Sequence, residues 1–268
     1  MIHIFGLFAF IFGTIIGSFL NVVILRYKTG RTVGGRSFCF SCGNILHALE
    51  LVPLFSFLAL RGKCRTCKTP LSWQYPLVEL ITGGVFFLIF EKAAFEGLLY
   101  TVPFLWFAFS LLIVIAVYDA KHKIVPDLVA FIFGFSALAW LLATNEISYF
   151  ASLPGLLDLL SGPIFFIPFF LLWFLSRGEW MGLGDGKLVV GLGWLLGIVE
   201  GASGIILGFW IAAGLSLLML FAKRAFPKKL PFLSMRSEVP FAPFLVLGAF
   251  LAYYFSLDIL SLNVLLFS

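Results

Sequence analysis

Residues 2–25 read Ile-His-Ile-Phe-Gly-Leu-Phe-Ala-Phe-Ile-Phe-Gly-Thr-Ile-Ile-Gly-Ser-Phe-Leu-Asn-Val-Val-Ile-Leu, 24 positions without an acid, a lysine or an arginine. A helix of that length crosses a hydrocarbon core of about 30 Å. Arg26, Lys28, Arg31 and Arg36 follow it, and at its start stands only His3. A secretory signal shows the opposite charge order and a shorter apolar core. The run therefore reads as a retained transmembrane helix with its amino terminus outside. Gly13 and Gly17, four residues apart, would let another helix come close.

The same character extends through the chain. Hydrophobic residues make up 62% of it and charged residues 12%, against roughly 45–50% and about 25% in soluble proteins. The expected class is an all-α polytopic membrane protein. Seven further apolar stretches fall at about 76–92, 99–118, 127–143, 154–176, 187–199, 203–222 and 240–262. The net charge of +5 suggests nucleic acid only until the charges are placed. They flank apolar spans and form no basic-aromatic stripe for stacking bases. Of the 18 lysines and arginines, all but Lys92 fall in 26–75, 119–126, 177–187 and 223–238. Cytoplasmic loops concentrate positive charge. That bias predicts about eight transmembrane helices, both termini outside, and those four segments in the cytoplasm.

The organisation that follows is a first helix over 1–25, a cytoplasmic loop domain over 26–75, and a seven-helix membrane domain over 76–268. Within the loop, the apolar patch Leu51–Leu60 is too short to span and should form a hairpin or lie at the interface. No repeat of fixed period is visible, which speaks against a transporter built from inverted halves.

Two carboxylates stand at the same predicted membrane boundary. Asp185 lies in Met181-Gly-Leu-Gly-Asp-Gly-Lys-Leu188, among Gly182, Gly184 and Gly186. Asp119 ends the third span in Tyr118-Asp-Ala-Lys-His-Lys-Ile-Val-Pro-Asp127. An ionisable group at membrane depth is a functional candidate by default, although Asp185 also suits a helix cap. Asp127, after Pro126 at a helix start, reads as structural. Paired carboxylates can activate a water between them, one as base and the other as acid. Lys121 and Lys187 lie near them in sequence, and His122 is a weak candidate base. Gly191, Gly193 and Gly197 interrupt a short span that should lie inside the bundle, away from lipid.

Cys39-Phe-Ser-Cys42 and Cys64-Arg-Thr-Cys67 form two Cys-x-x-Cys knuckles with 21 residues between them. Four thiolates so spaced suit a closed, structural zinc site of the zinc-ribbon kind. Two disulfides or four separate thiols are the other readings, and a reducing cytoplasm disfavours the disulfides.

Taken together, these segments resemble the type IV prepilin peptidases, a family of membrane aspartyl proteases with a Gly-x-Gly-Asp segment. Gly17–Arg26 is similar to the family's first-helix signature, and Arg36–Cys67 with Tyr75–Gly83 to its zinc-bearing loop and second helix. Tyr118–Asp127 and Met181–Leu188 resemble the catalytic segments. Val239–Leu245 resembles the final motif, with Ala242 where the family usually has Gly. The resemblance implies Asp119 and Asp185 as the catalytic pair, with Gly182, Gly184 and Gly186 admitting the substrate backbone. It implies prepilin or pseudopilin substrates entering from the lipid bilayer, cleavage after Gly at the cytoplasmic face, and methylation of the new amino terminus, usually Phe. S-adenosylmethionine would be the methyl donor, zinc the structural metal at Cys39, Cys42, Cys64 and Cys67, and the bacterial inner membrane the location. Glu79 is a candidate for the donor site, or else a cap of the second helix. A single-function preflagellin- or presenilin-like protease is the alternative, but it is not expected to carry the four-cysteine loop.

Overall fold

The structure, a computed structural model, describes residues 2–30, 32–225 and 240–267, without the side chains of residues 2, 3, 223–225 and 267. Arg31, Lys228, Lys229, Arg236 and Val239 lie outside the described residues. Among the described residues every regular element is helical. They are α1 (Ile2–Arg26), α2 (Phe55–Ala59), α3 (Gln74–Glu96), α4 (Val102–His122), α5 (Asp127–Thr144), α6 (Ile147–Phe150), α7 (Leu153–Ser176), α8 (Leu183–Ala225), α9 (Ala242–Phe255) and α10 (Leu262–Phe267). The helices α1, α4, α5, α7 and α8 are long and apolar enough to cross a membrane. The protein is an all-α polytopic membrane protein. It divides into two compact units, Met1–Val114 and Ile115–Ser268.

In the first unit α1 lies against α3 at backbone distance. A Cβ on Gly13 would stand 2.8 Å from Gly83 Cα, and one on Gly17 would stand 2.8 Å from Glu79 Cα. The small residues therefore do what their spacing predicts. Phe5, Phe8, Ile15 and Phe19 remain exposed on α1, the side chains a lipid-facing helix needs. Phe86 stacks on Trp106 at 4.7 Å, and the indole Nε1 donates to the Phe86 carbonyl at 3.1 Å. Near the loop end of α1, Asn21 donates to the Tyr75 carbonyl and accepts from the Gln74 side chain. A buried amide among hydrocarbon fixes register because only one alignment satisfies it. The apolar patch 51–60 forms no hairpin. It contains the short helix α2, whose Phe55 and Leu58 are exposed.

In the second unit α5, α7 and α9 pack against α8. Its first half is buried as the glycine pattern predicts, with Leu188, Val189 and Leu192 nearly inaccessible. Gly191 lies against the Phe133 ring and Gly193 against the backbone of Gly162. At about 1.5 Å per residue, 43 residues would run far beyond a bilayer as one rod. Gly197 interrupts the rod with φ 71° and ψ −173°, a conformation essentially confined to glycine. The expected spans 187–199 and 203–222 are thus two halves joined at this break.

Asp158 of α7 secures the break. Its Oδ1 accepts the Ile198 amide at 2.9 Å, and its Oδ2 accepts the Tyr149 hydroxyl at 2.6 Å. Burial and the neighbouring Asp158 push Tyr149 up to about 12, so its hydroxyl remains a donor. A Cβ at Gly197 would stand 2.6 Å from Asp158 Oδ1. Gly197→Ala should therefore cost at least about 1–3 kcal/mol from backbone strain alone. Thermal unfolding in detergent should show a lower midpoint than the wild type, and an unchanged midpoint would contradict the assigned break.

Candidate active site and metal centre

Both candidate carboxylates belong to the second unit. Asp119 occupies the last turn of α4 and is 5% exposed. Its Oδ2 accepts the Ala242 amide at 3.1 Å, and the Phe241 amide also donates to this carboxyl. These amides belong to the open end of α9, where the first N–H groups of a helix lack intrahelical partners. The end of α9 thus gives a buried carboxyl its orientation. Asp185 is half-buried in the first turn of α8, within electrostatic range of Asp119. Among the described residues no hydrogen bond holds it.

The surrounding residues take more varied places. Asp127 begins α5, yet its partner is a side chain: Lys187 Nζ donates to Asp127 Oδ1 at 2.6 Å. The ammonium expected beside Asp185 is therefore paired with Asp127, joining the starts of α5 and α8. Lys121 and His122 are exposed, and the His122 ring lies 4.4 Å from that of Tyr118. The three glycines divide. Gly184 faces Val125 at 2.8 Å and Gly186 faces Phe166 at 3.1 Å, measured from an added Cβ, whereas Gly182 has open space. Gly184 and Gly186 are thus closely packed against neighbouring side chains, and the space beside Gly182 is open but for the Gly184 amide nitrogen at 3.9 Å.

The cysteines gather in the first unit. All four Sγ atoms lie within 4.8 Å of one another, and Cys39 and Cys67 are 3.8 Å apart. Four sulfurs at about 2.3 Å from a tetrahedral zinc would be separated by about 3.8 Å. The set fits that metal, and all four cysteines are free of disulfides.

The two knuckles repeat one local design. Cys39 donates its amide to Asn44 and accepts from Gly43. Cys64 donates to Thr69 and accepts from Lys68. Gly43 and Lys68 both have positive φ, 72° and 59°. Asn44 Nδ2 donates to Thr66 Oγ1 at 2.9 Å, tying one knuckle to the other. The hydroxyl and amide of Thr69 bring Cys67 down to about 6, and the amides of Cys42 and Ser41 lower Cys39, whereas, against the lowering Asn44 amide, burial and the neighbouring thiols push Cys42 up to about 11. Thiolates are the form a metal binds.

Glu79 does not cap α3, which begins five residues earlier at Gln74. It is buried, its Oε2 accepts the Leu54 amide at 2.8 Å, and the Ser18 hydroxyl also bonds it. It therefore ties the cysteine loop to α1 and α3. Asp158, the Ala242 amide and the Asp127–Lys187 pair were not foreseen as parts of this arrangement. Their partners lie 40, 123 and 60 residues away. The one available signal was a polar residue inside an apolar run, as at Asp158.

Comparison with known proteins agrees with this layout. The family description "Bacterial Peptidase A24 N-terminal domain" matches residues 11–93, and "Type IV leader peptidase family" matches residues 106–222. Relatives of the chain carry the name "Prepilin leader peptidase/N-methyltransferase". The Bacillus subtilis protein is 31% identical over 94% of this chain and 95% of its own length. The Pseudomonas aeruginosa protein is 30% identical over 92% and 89%. The Myxococcus xanthus protein is 36% identical over 84% of this chain and 66% of its own length. No solved structure matches. With both family descriptions and the relatives in agreement over most of its length, the chain belongs to the type IV leader peptidase family.

Proposed function

We propose that the protein is a bifunctional membrane enzyme that removes the leader of type IV prepilins or pseudopilins and methylates the amino terminus it exposes. The single observation that carries the peptidase reading is Asp119, held by the end of α9 within electrostatic range of Asp185. The double name of the relatives favours this reading over a single-function protease. Eight spans, both termini outside and a site at the cytoplasmic face of the bacterial inner membrane complete the proposal. Its domains are 1–25, 26–75 and 76–268.

The substrate's apolar helix would enter from the bilayer and leave its scissile Gly–Phe bond at the boundary. A water between Asp119 and Asp185 loses a proton to the ionised carboxylate as its oxygen attacks the Gly carbonyl. The protonated carboxyl then gives its proton to the leaving amine, and the C–N bond breaks. The Ala242 amide holds Asp119 Oδ2 and the Phe241 amide also bonds the carboxyl, which together fix its orientation toward the water. Gly182 has the room to admit an extended backbone.

Bound S-adenosylmethionine would supply an electrophilic methyl group to the amine that cleavage exposes. Cys39, Cys42, Cys64 and Cys67 would hold zinc, which supplies cross-links between the two knuckles with no open coordination position.

Asp119→Asn and Asp185→Asn should each reduce leader removal by at least about 1,000-fold, the scale of losing an acid–base group. Gel analysis of a reconstituted prepilin assay reads this, and normal cleavage by either variant would sink the pair. Metal analysis of the purified protein should find one zinc per chain, lost in the Cys39→Ser/Cys42→Ser double variant. Undiminished zinc in that variant would refute the assignment.

A further inference from the structure

Ile15, Ser18, Phe19 and Val22 of α1 form one wall of an open groove, and Leu51, Val52 and Pro53 of the cysteine loop form the other. The groove holds about 480 Å³, within the roughly 300–1,000 Å³ of small-molecule sites. Its α1 wall lies four to eleven residues before Arg26, which at about 1.5 Å per residue is roughly 6–16 Å below the charged end of the helix. Ile15 and Phe19 are exposed there, on the side of α1 that lipid covers. The loop therefore dips back beside a membrane-spanning helix. Glu79 sets the depth: its Oε2 accepts the Leu54 amide at 2.8 Å, and its Cα faces Gly17, nine residues before Arg26.

Irregular backbone at membrane depth must find partners within the protein, and this segment does. Pro53 carries no N–H. The amides of Leu51, Phe55 and Ser56 return to the carbonyls of Ala48, Pro53 and Val52, and the Leu54 amide goes to Glu79. The side chains, by contrast, are left uncovered: Leu49, Phe55 and Leu58 are 76%, 68% and 73% exposed. Trp73, whose ring lies 5.1 Å from that of Phe57, is exposed as well. A run of exposed apolar side chains marks an interaction surface, and tryptophan favours the membrane–water boundary. Residues 51–78 carry Arg61, Lys63, Arg65 and Lys68 and no acid, a balance that suits anionic headgroups.

We infer that residues 49–58 are a bilayer-inserted element of the cysteine loop, with a phospholipid acyl chain occupying the groove between them and α1. The lipid face of α1 continues across the groove onto Leu51 and Val52, so one apolar solvent covers both walls. A small apolar ligand would fill the groove and still leave Leu49, Phe55 and Leu58 in water, whereas a bilayer covers them together. Glu79 is then a membrane-depth carboxyl whose task is to receive the amide of an inserted turn. The inference uses only the membrane-spanning character of α1 and is independent of the two proposed chemistries.

Photo-crosslinking of the full chain in nanodiscs of mixed zwitterionic and anionic phospholipid tests the assignment. The photoreactive residue p-benzoylphenylalanine is placed singly at Val52, at Leu58, and at Phe8, which is exposed on α1 and serves as the lipid-facing reference. Intact mass after illumination should show the chain plus one phospholipid from Val52 and Leu58, as from Phe8. Melting temperature reports folding, and the exposed position Leu58 decides the insertion if the probe at Val52 lowers it. A folded Leu58 variant without a lipid adduct, where the Phe8 variant gives one, would overturn the insertion. A folded Val52 variant without an adduct would overturn the acyl chain in the groove. A cross-link from either position to a second copy of the chain would make this face a protein contact and contradict the inference.

Discussion

Ala242 donates its backbone amide to Asp119 Oδ2 at 3.1 Å, and this contact explains how an acid can sit buried in a unit made largely of hydrocarbon. A helix end must satisfy its free N–H groups, and a buried carboxyl must find donors. Each solves the other's problem. The start of α9, the end of α4 and the start of α8 therefore serve one arrangement. The Asp127–Lys187 pair joins α5 to α8 two residues beyond Asp185. Replacing the family's usual Gly by Ala at position 242 leaves the amide in place, because the interaction uses backbone alone.

Much of this was legible in the sequence, and the legible parts share a physical origin. Spans show themselves because crossing hydrocarbon demands about 20 apolar residues in a row. The cysteine cluster shows itself because zinc geometry imposes close ligand spacing within each knuckle. Gly13 and Gly17 announced a close helix approach and Gly191 and Gly193 an interior segment, and each is found against a neighbouring element.

The illegible parts are pairings between distant residues. Lys187 reads as a neighbour of Asp185, yet a helical turn directs it to Asp127. The three glycines around Asp185 look alike in sequence, but Val125 and Phe166 fill the space beside two of them. Asp158 carries no motif, and its task appears only where Gly197 breaks α8 and exposes the Ile198 amide. In each case tertiary packing assigns a role that local chemistry leaves open.

The two constellations occupy different parts of the chain: the carboxylates lie beyond Ile115, the cysteines before Val114. The chain's membership in the family and its two constellations converge on one reaction sequence. Intact-mass measurement of a pilin precursor with a basic leader, incubated with the purified protein in lipid nanodiscs and S-adenosylmethionine, tests it most directly. The predicted product has lost its leader at the Gly–Phe bond and gained one methyl group at the new amino terminus. A precursor left whole, or cut at another bond, would contradict the assignment.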